Sequence, residues 1–193
     1  MSSSISRKVL SESQLQNMAQ TNGASAAMIS LLQSLLSADA AARRSGESSL
    51  AQAAKQSGFG MALVQTILQQ QYPEGVRQLA AVLLKRHVKE HWAEESKHFK
   101  QPVVSDSEKA AIRSQLPQGL ADTQPKLRTA VSMAIAAIAK WDLPDAWPGL
   151  LNLLMGAVTS KVNQDLGMQL HAPHTSIRHR LAAMFEYSWH VLL

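Results

Sequence analysis

The sequence predicts an all-α fold of stacked helical hairpins, and three observations predict it. The chain is rich in Ala, Leu and Gln, and no run of alternating β-branched residues occurs. Apolar residues recur at helical spacing in one segment after another. The nine glycines and seven prolines fall mostly between those segments, where helices must end.

The first segment, Ala26 to Ser37 (AAMISLLQSLLS), places Met28, Leu31, Leu32, Leu35 and Leu36 on one stripe, and Ser37 or Asp39 is placed to cap the next helix. Residues 40–56 carry a weaker pattern through Arg43, Glu47, Leu50 and Ala54. Gly46 within it is expected to cost about 1 kcal/mol relative to alanine. Ser57, Gly58 and Gly60 then break the pattern, implying a tight turn, and Met61 to Gln71 resumes it with Met61, Val64, Ile67 and Leu68 on one face. After Pro73, Glu74 to Trp92 is the most regular segment. It is expected to bury Val76, Leu79, Ala80, Leu83, Val88 and Trp92, while Lys85 and Lys89, four apart, share a polar face. A polar connector, AEESKHFKQPVVSDS, leads to a Ser105 or Ser107 cap and a helix over Glu108 to Leu120, in which Ala111, Ile112, Leu116 and Leu120 pack and Pro117 kinks the chain. Gln124 to Trp141 comes next, with Leu127, Val131, Ala134, Ile135 and Ile138 turned inward. Ala136 and Ala137, on its other face, are small enough to admit a neighbouring helix.

The chain is organised around the corner beyond that helix, IAAIAKWDLPDAWPGLLNLL from Ile135 to Leu154. Asp142 can cap there, and Pro144, lacking an amide hydrogen, cannot continue the ladder. Trp147 and Pro148 open a new run, Leu150, Leu151, Leu153 and Leu154, with Pro148 near the first turn, where a missing donor costs nothing. Helices joined by so few residues fold back on each other. They therefore come in pairs whose first members begin near Ala26, Met61, Ser107 and Trp147, at spacings of 35, 46 and 40 residues. Units of about 40 to 47 residues are HEAT or armadillo hairpins, whereas tetratricopeptide units of about 34 residues are too regular for these gaps. The expected architecture is a right-handed α-solenoid of about three and a half such hairpins.

Composition and motifs narrow the function classes. There is no cysteine, so disulfides and thiolate metal sites are excluded. Residues 1–24 are polar and Ser/Gln-rich, expected to form a disordered arm rather than a signal peptide. No stretch approaches the roughly 20 apolar residues that cross a bilayer, so no membrane is expected. The net charge of +5 and a pI near 9.7 raise a basic helical adaptor for nucleic acid as an alternative. Scattered Lys and Arg, three phenylalanines and two tyrosines disfavour it. His87 to His91 reads HVKEH, the order of an inverted zinc metallopeptidase, with two imidazoles one turn apart and a glutamate to activate water. The motif is short and falls inside the most regular helix, so it stands only as a second alternative. His171, His174, His179 and His190 gather near the carboxyl end, where Pro173 interrupts any helix and no ligand geometry is suggested. No glycine-rich phosphate loop or nucleophile elbow is present, and no catalytic residue, metal or cofactor is assigned.

Three stretches, taken in order, resemble the amino-terminal domain of the importin-β (karyopherin-β) family. They are the Arg43, Glu47, Leu50 pattern, the segment RQLAAVLLKRHVKEHW and the corner from Ile138. The second matches the family pattern through Arg77, Ala80, Leu84, Lys85 and Trp92, and the third through Ile138, Ala139, Asp142, Pro144, Trp147 and Pro148. The wording is most similar to the importin-9 branch. The resemblance covers about residues 25–158 and implies HEAT repeats at the start of a longer nuclear transport receptor. It also implies binding to the small GTPase Ran in its GTP form, cargo proteins and nuclear pore proteins as partners of a full-length form, and passage between cytoplasm and nucleus. Because second helices line the concave surface in that family, the resemblance places Lys85, Lys89, Arg128 and Ser132 at the GTPase. Residues 159–193 diverge from the family, as a truncated or alternatively spliced product would, and the basic balance departs from its usual acidity.

Overall fold

The computed structural model describes residues 12–156, and among these no strand occurs. Helix α1 runs Glu12–Leu35, α2 Ala40–Ala53, α3 Phe59–Leu68, α4 Glu74–His91, α5 Asp106–Gln115 and α6 Pro125–Asp142, with a 3-10 segment, Leu116–Ala121, leading from α5 towards α6. These belong to one compact unit that ends at Pro148; a further helix, starting at residue 150, belongs to a second. Helix α1 begins well before Ala26, so residues 12–24, half of the expected polar arm, have helical backbone. Their Gln, Leu, Met and Ala residues are good helix formers. Residues 1–11, and the tail with His171, His174, His179 and His190, lie outside the described residues.

Helix ends obey local chemistry. Both carboxylate oxygens of Asp39 accept the amides of Ala41 and Ala42 at 3.1 Å, capping α2. Ser105 Oγ accepts the Glu108 amide at 3.3 Å, capping α5. Gly58 turns the chain into α3 with φ of 82°, a conformation that side chains other than glycine resist. Its amide donates to Glu108 Oε2 at 2.8 Å, and the Met61 amide to Glu108 Oε1 at 3.1 Å. A carboxylate from α5 thus satisfies the open amino end of α3, and the negative charge suits that end of the helix dipole. Pro117 ends α5 as its ring chemistry requires, converting the next turn to 3-10 geometry rather than kinking a continuous helix.

The hairpins stack in two rows. Helices α1, α3 and α5 pack side by side, α4 packs on α3 and α6, and the 3-10 segment on α6. Each added hairpin buries the apolar face of the one before, which is why such a unit needs neighbours. Leu32, Ile67, Ile112, Leu127 and Ile138 are fully buried, as the helical stripes anticipate, and so are Leu63 and Leu84, which those stripes leave out. Leu36 departs from its stripe and is exposed. Ala136 is exposed too, and Ala137 is half-buried. Gly46 has a positive role: a Cβ there would lie 2.4 Å from Ser34 Oγ and 3.2 Å from Leu35 Cδ2, so its absence lets α2 approach α1.

Candidate functional site

The family-pattern residues hold the scaffold under the site. Arg77, buried on α4, donates its Nε to the Ile67 carbonyl at 2.8 Å and pairs through Nη2 with Asp122, also buried. Burial pushes the Asp122 carboxyl up, but the Gln124 amide and Arg77 outweigh it and hold the group below its ordinary value. Trp92, at the end of α4, donates its indole N–H to Asp142 Oδ1 at 2.8 Å, while Arg113 donates to Asp142 Oδ2 at 2.7 Å. The sequence suggests a cap at Asp142. Instead its buried side chain joins α4, α5 and α6, and its backbone carbonyl accepts the amides of Ala146 and Trp147 in the turn that carries Pro144, Trp147 and Pro148.

That scaffold fixes an open cleft of about 1200 Å³ between α4, the connector and α6. The connector, polar in sequence, is pinned by backbone bonds: the Lys100 amide donates to the Glu90 carbonyl and the Val104 amide to the His91 carbonyl at 2.9 Å. Ser96 Oγ donates to the Lys89 carbonyl at 2.9 Å. Lys85 and Lys89 line the cleft from α4, with Lys97 from the connector and Lys140 from α6. Arg86 and Lys100 line it as well, but both pair with Glu90, at 3.2 and 3.1 Å. Burial pushes the Glu90 carboxyl up, and Lys100 and Arg86 outweigh this and keep it below the usual range. Among the described residues no ion pair engages Lys85, Lys89 or Lys97.

Arg128 and Ser132 are not brought together with the two lysines. Arg128 donates to the carbonyls of Asp122 and Thr123 at 2.8 and 3.1 Å, fastening the turn after the 3-10 segment to the first turn of α6. Ser132 is exposed on α6, its hydroxyl donating to the Thr129 carbonyl at 2.8 Å, and neither residue lines the cleft.

The His87 and His91 rings of the HVKEH sequence lie 4.8 Å apart, but Glu90 does not join them in a metal site. His87 is buried, its ring edge-on to Phe59 with centroids 5.1 Å apart, whereas Glu90 is engaged by Arg86 and Lys100. His91 is buried as well, with Nδ1 3.0 Å from the Pro102 carbonyl that accepts its proton. Among the described residues no three His, Asp or Glu side chains are grouped to hold a metal ion. Burial, then the neighbouring His91, push the His87 imidazole down to about 4, so it is neutral at physiological pH. Its Nδ1 has no hydrogen-bond partner among the described residues, and the residue lines a second cleft of about 490 Å³ with Leu50 and Ala51 of α2 and Leu83 of α4.

Residues 46–122 match the family model of the importin-beta N-terminal domain. The chain is 33% identical over 132 residues to importin-9 of Drosophila melanogaster, covering 67% of this chain and 13% of that protein. It is 28% identical over 168 residues to importin-11 of Mus musculus, covering 84% and 17%. To the importin alpha re-exporter of Saccharomyces cerevisiae it is 27% identical over 121 residues, covering 63% and 12%. The chain therefore spans a small part of the length of each of these relatives.

Proposed function

Since this chain belongs to the importin-β family of nuclear transport receptors, we propose that it binds the small GTPase Ran in its GTP form through the exposed side of α4. Members of the family are transport receptors, not enzymes, and no reaction is assigned to this chain. The observation that carries the GTPase reading is the pair Lys85 and Lys89, one turn apart on α4, fronting an open cleft and engaged by no ion pair among the described residues. Lys89 is exposed and Lys85 half-buried; ammonium groups on a packed helix can meet carboxylates of a partner at little reorganisation cost, and they steer its approach from a distance. Their neighbours cannot serve as readily, because Arg86 and Lys100 already share Glu90.

Arg128 and Ser132 belong to the proposal in different ways. Ser132 offers an exposed hydroxyl on α6, and Arg128, tied to two carbonyls, positions the start of that helix. In a longer form of the protein the same domain would open an array that also engages cargo and nuclear pore proteins, with residence in both cytoplasm and nucleus. Capture of GTP-loaded Ran on immobilised protein tests the reading. Changing both Lys85 and Lys89 to Glu should weaken capture by about tenfold, through two surface charge contacts turned repulsive; unchanged capture would refute it.

A further inference from the structure

We propose that the cleft between α4, the connector and α6 docks an acidic peptide segment that carries one aliphatic side chain, a partner distinct from the GTPase. Its lining combines cationic and apolar side chains. Four ammonium groups, those of Lys85, Lys89, Lys97 and Lys140, face the same cleft, against the carboxylates of Glu90 and Glu95. Glu90 is already neutralised by Arg86 and Lys100, so Glu95 alone opposes the four. The exposed imidazole of His98 also lines the cleft, and slight desolvation, then the ammonium groups of Lys89 and Lys97, push its titration down.

Val82, 52% exposed on α4, and Ala137 on α6 line the same cleft as the lysines. An exposed valine in a cleft with small and cationic residues is an apolar contact waiting for one aliphatic group, and burying such a group adds about 0.8 kcal/mol per methylene. The charge selects a polyanion, and the surface distinguishes which. A single-stranded nucleic acid needs open aromatic faces for its bases. Here Lys140 Nζ sits 4.7 Å above the Trp141 ring and Phe99 is only half-exposed, so the aromatic groups offer little stacking surface. The cations outside ion pairs are lysines, which serve carboxylates as point charges; the arginine of the cleft, with its phosphate-matching fork, is engaged by Glu90.

Fluorescence anisotropy on the whole 193-residue chain tests this with a labelled Glu-rich peptide bearing one central leucine. The same peptide with glutamines for glutamates and a labelled oligothymidine serve as comparisons. The acidic peptide is expected to bind, the glutamine peptide to bind at least roughly fivefold more weakly, and affinity to fall with added salt. The variant Lys97→Glu with Lys140→Glu should lose at least about fivefold for the acidic peptide, with its circular dichroism unchanged. Equal peptide binding by wild type and variant would overturn the proposal. So would oligothymidine binding more tightly than the peptide, which would make the cleft a nucleic-acid surface. Neither substitution touches Lys85 or Lys89, so capture of GTP-loaded Ran by the same variant separates failure of this inference from failure of the GTPase reading.

Discussion

The indole of Trp92 donates its N–H to Asp142 Oδ1 across 2.8 Å, tying the last turn of α4 to the last turn of α6 from opposite ends of a 50-residue separation. Asp142 completes its coordination with Arg113 of α5, so one buried carboxylate fastens three helices. Replacing Asp142 by Ala leaves the indole donor and a guanidinium without acceptors. A loss of about 3 kcal/mol or more in unfolding free energy is expected. Asp142→Asn keeps one oxygen for Trp92 and should cost less than half as much. Urea unfolding of the two variants checks the order.

Arg77 and Asp122 make the second buried pair, this time between α4 and the turn before α6. Removing one partner alone strands a buried charge. Asp122→Ala is expected to cost about 3 to 5 kcal/mol, whereas the double change Arg77→Met with Asp122→Leu should recover much of that loss, because the desolvation of both charges disappears with them. A double-mutant cycle on thermal or urea unfolding measures the difference.

Acidification should unfold the domain early. The His87 imidazole titrates near 4 in the folded chain against about 6.5 in an unfolded one, so between these values the unfolded state binds more protons and stability falls as pH falls. The loss is on the order of 3 kcal/mol when the whole window has been crossed. Asp122, held below its ordinary value, acts in the same direction at lower pH, its contribution present above the usual carboxylate pKa and lost below the folded one. His87→Leu should flatten the profile between pH 6.5 and 4, while leaving the lower limb in place. Melting temperatures across that range read both effects.

Gly46 reverses the ordinary helix preference. Alanine is the better helix former by about 1 kcal/mol, yet its methyl would meet Ser34 Oγ at 2.4 Å and Leu35 at 3.2 Å. Gly46→Ala is therefore expected to destabilise by about 1 to 3 kcal/mol. Gly75→Ala serves as the comparison, since nothing lies within 4 Å of the added methyl and the change should be neutral or stabilising. Paired melting curves decide it.

The pairing of helices is legible in the sequence because periodicity reports burial directly: Leu127, Val131, Ala134, Ile135 and Ile138 are all inside, as their spacing requires. Ser105 and Asp39 are legible as caps because capping is local. Features that escape sequence reading depend on contacts between distant residues. Asp142 lies between a helix and a proline, as a cap would, and only the fold brings Trp92 and Arg113 to it. Glu108 likewise serves α3 from 50 residues away. Gly46 looks like a local penalty because its benefit lies on another helix. For the site, Lys85 and Lys89 are legible as one polar face, but their cleft is not. Lys97 and Lys140 join it from the connector and α6, which no periodicity links, whereas Arg128 proves committed to carbonyls beside it.

Nucleotide-dependent binding of Ran tests the proposed function most directly. Isothermal titration of the 193-residue chain with Ran loaded with a non-hydrolysable GTP analogue, and separately with GDP, gives the comparison. The GTP form should bind at least about tenfold more tightly, a difference of ~1.4 kcal/mol. Equal affinity for the two forms would contradict it.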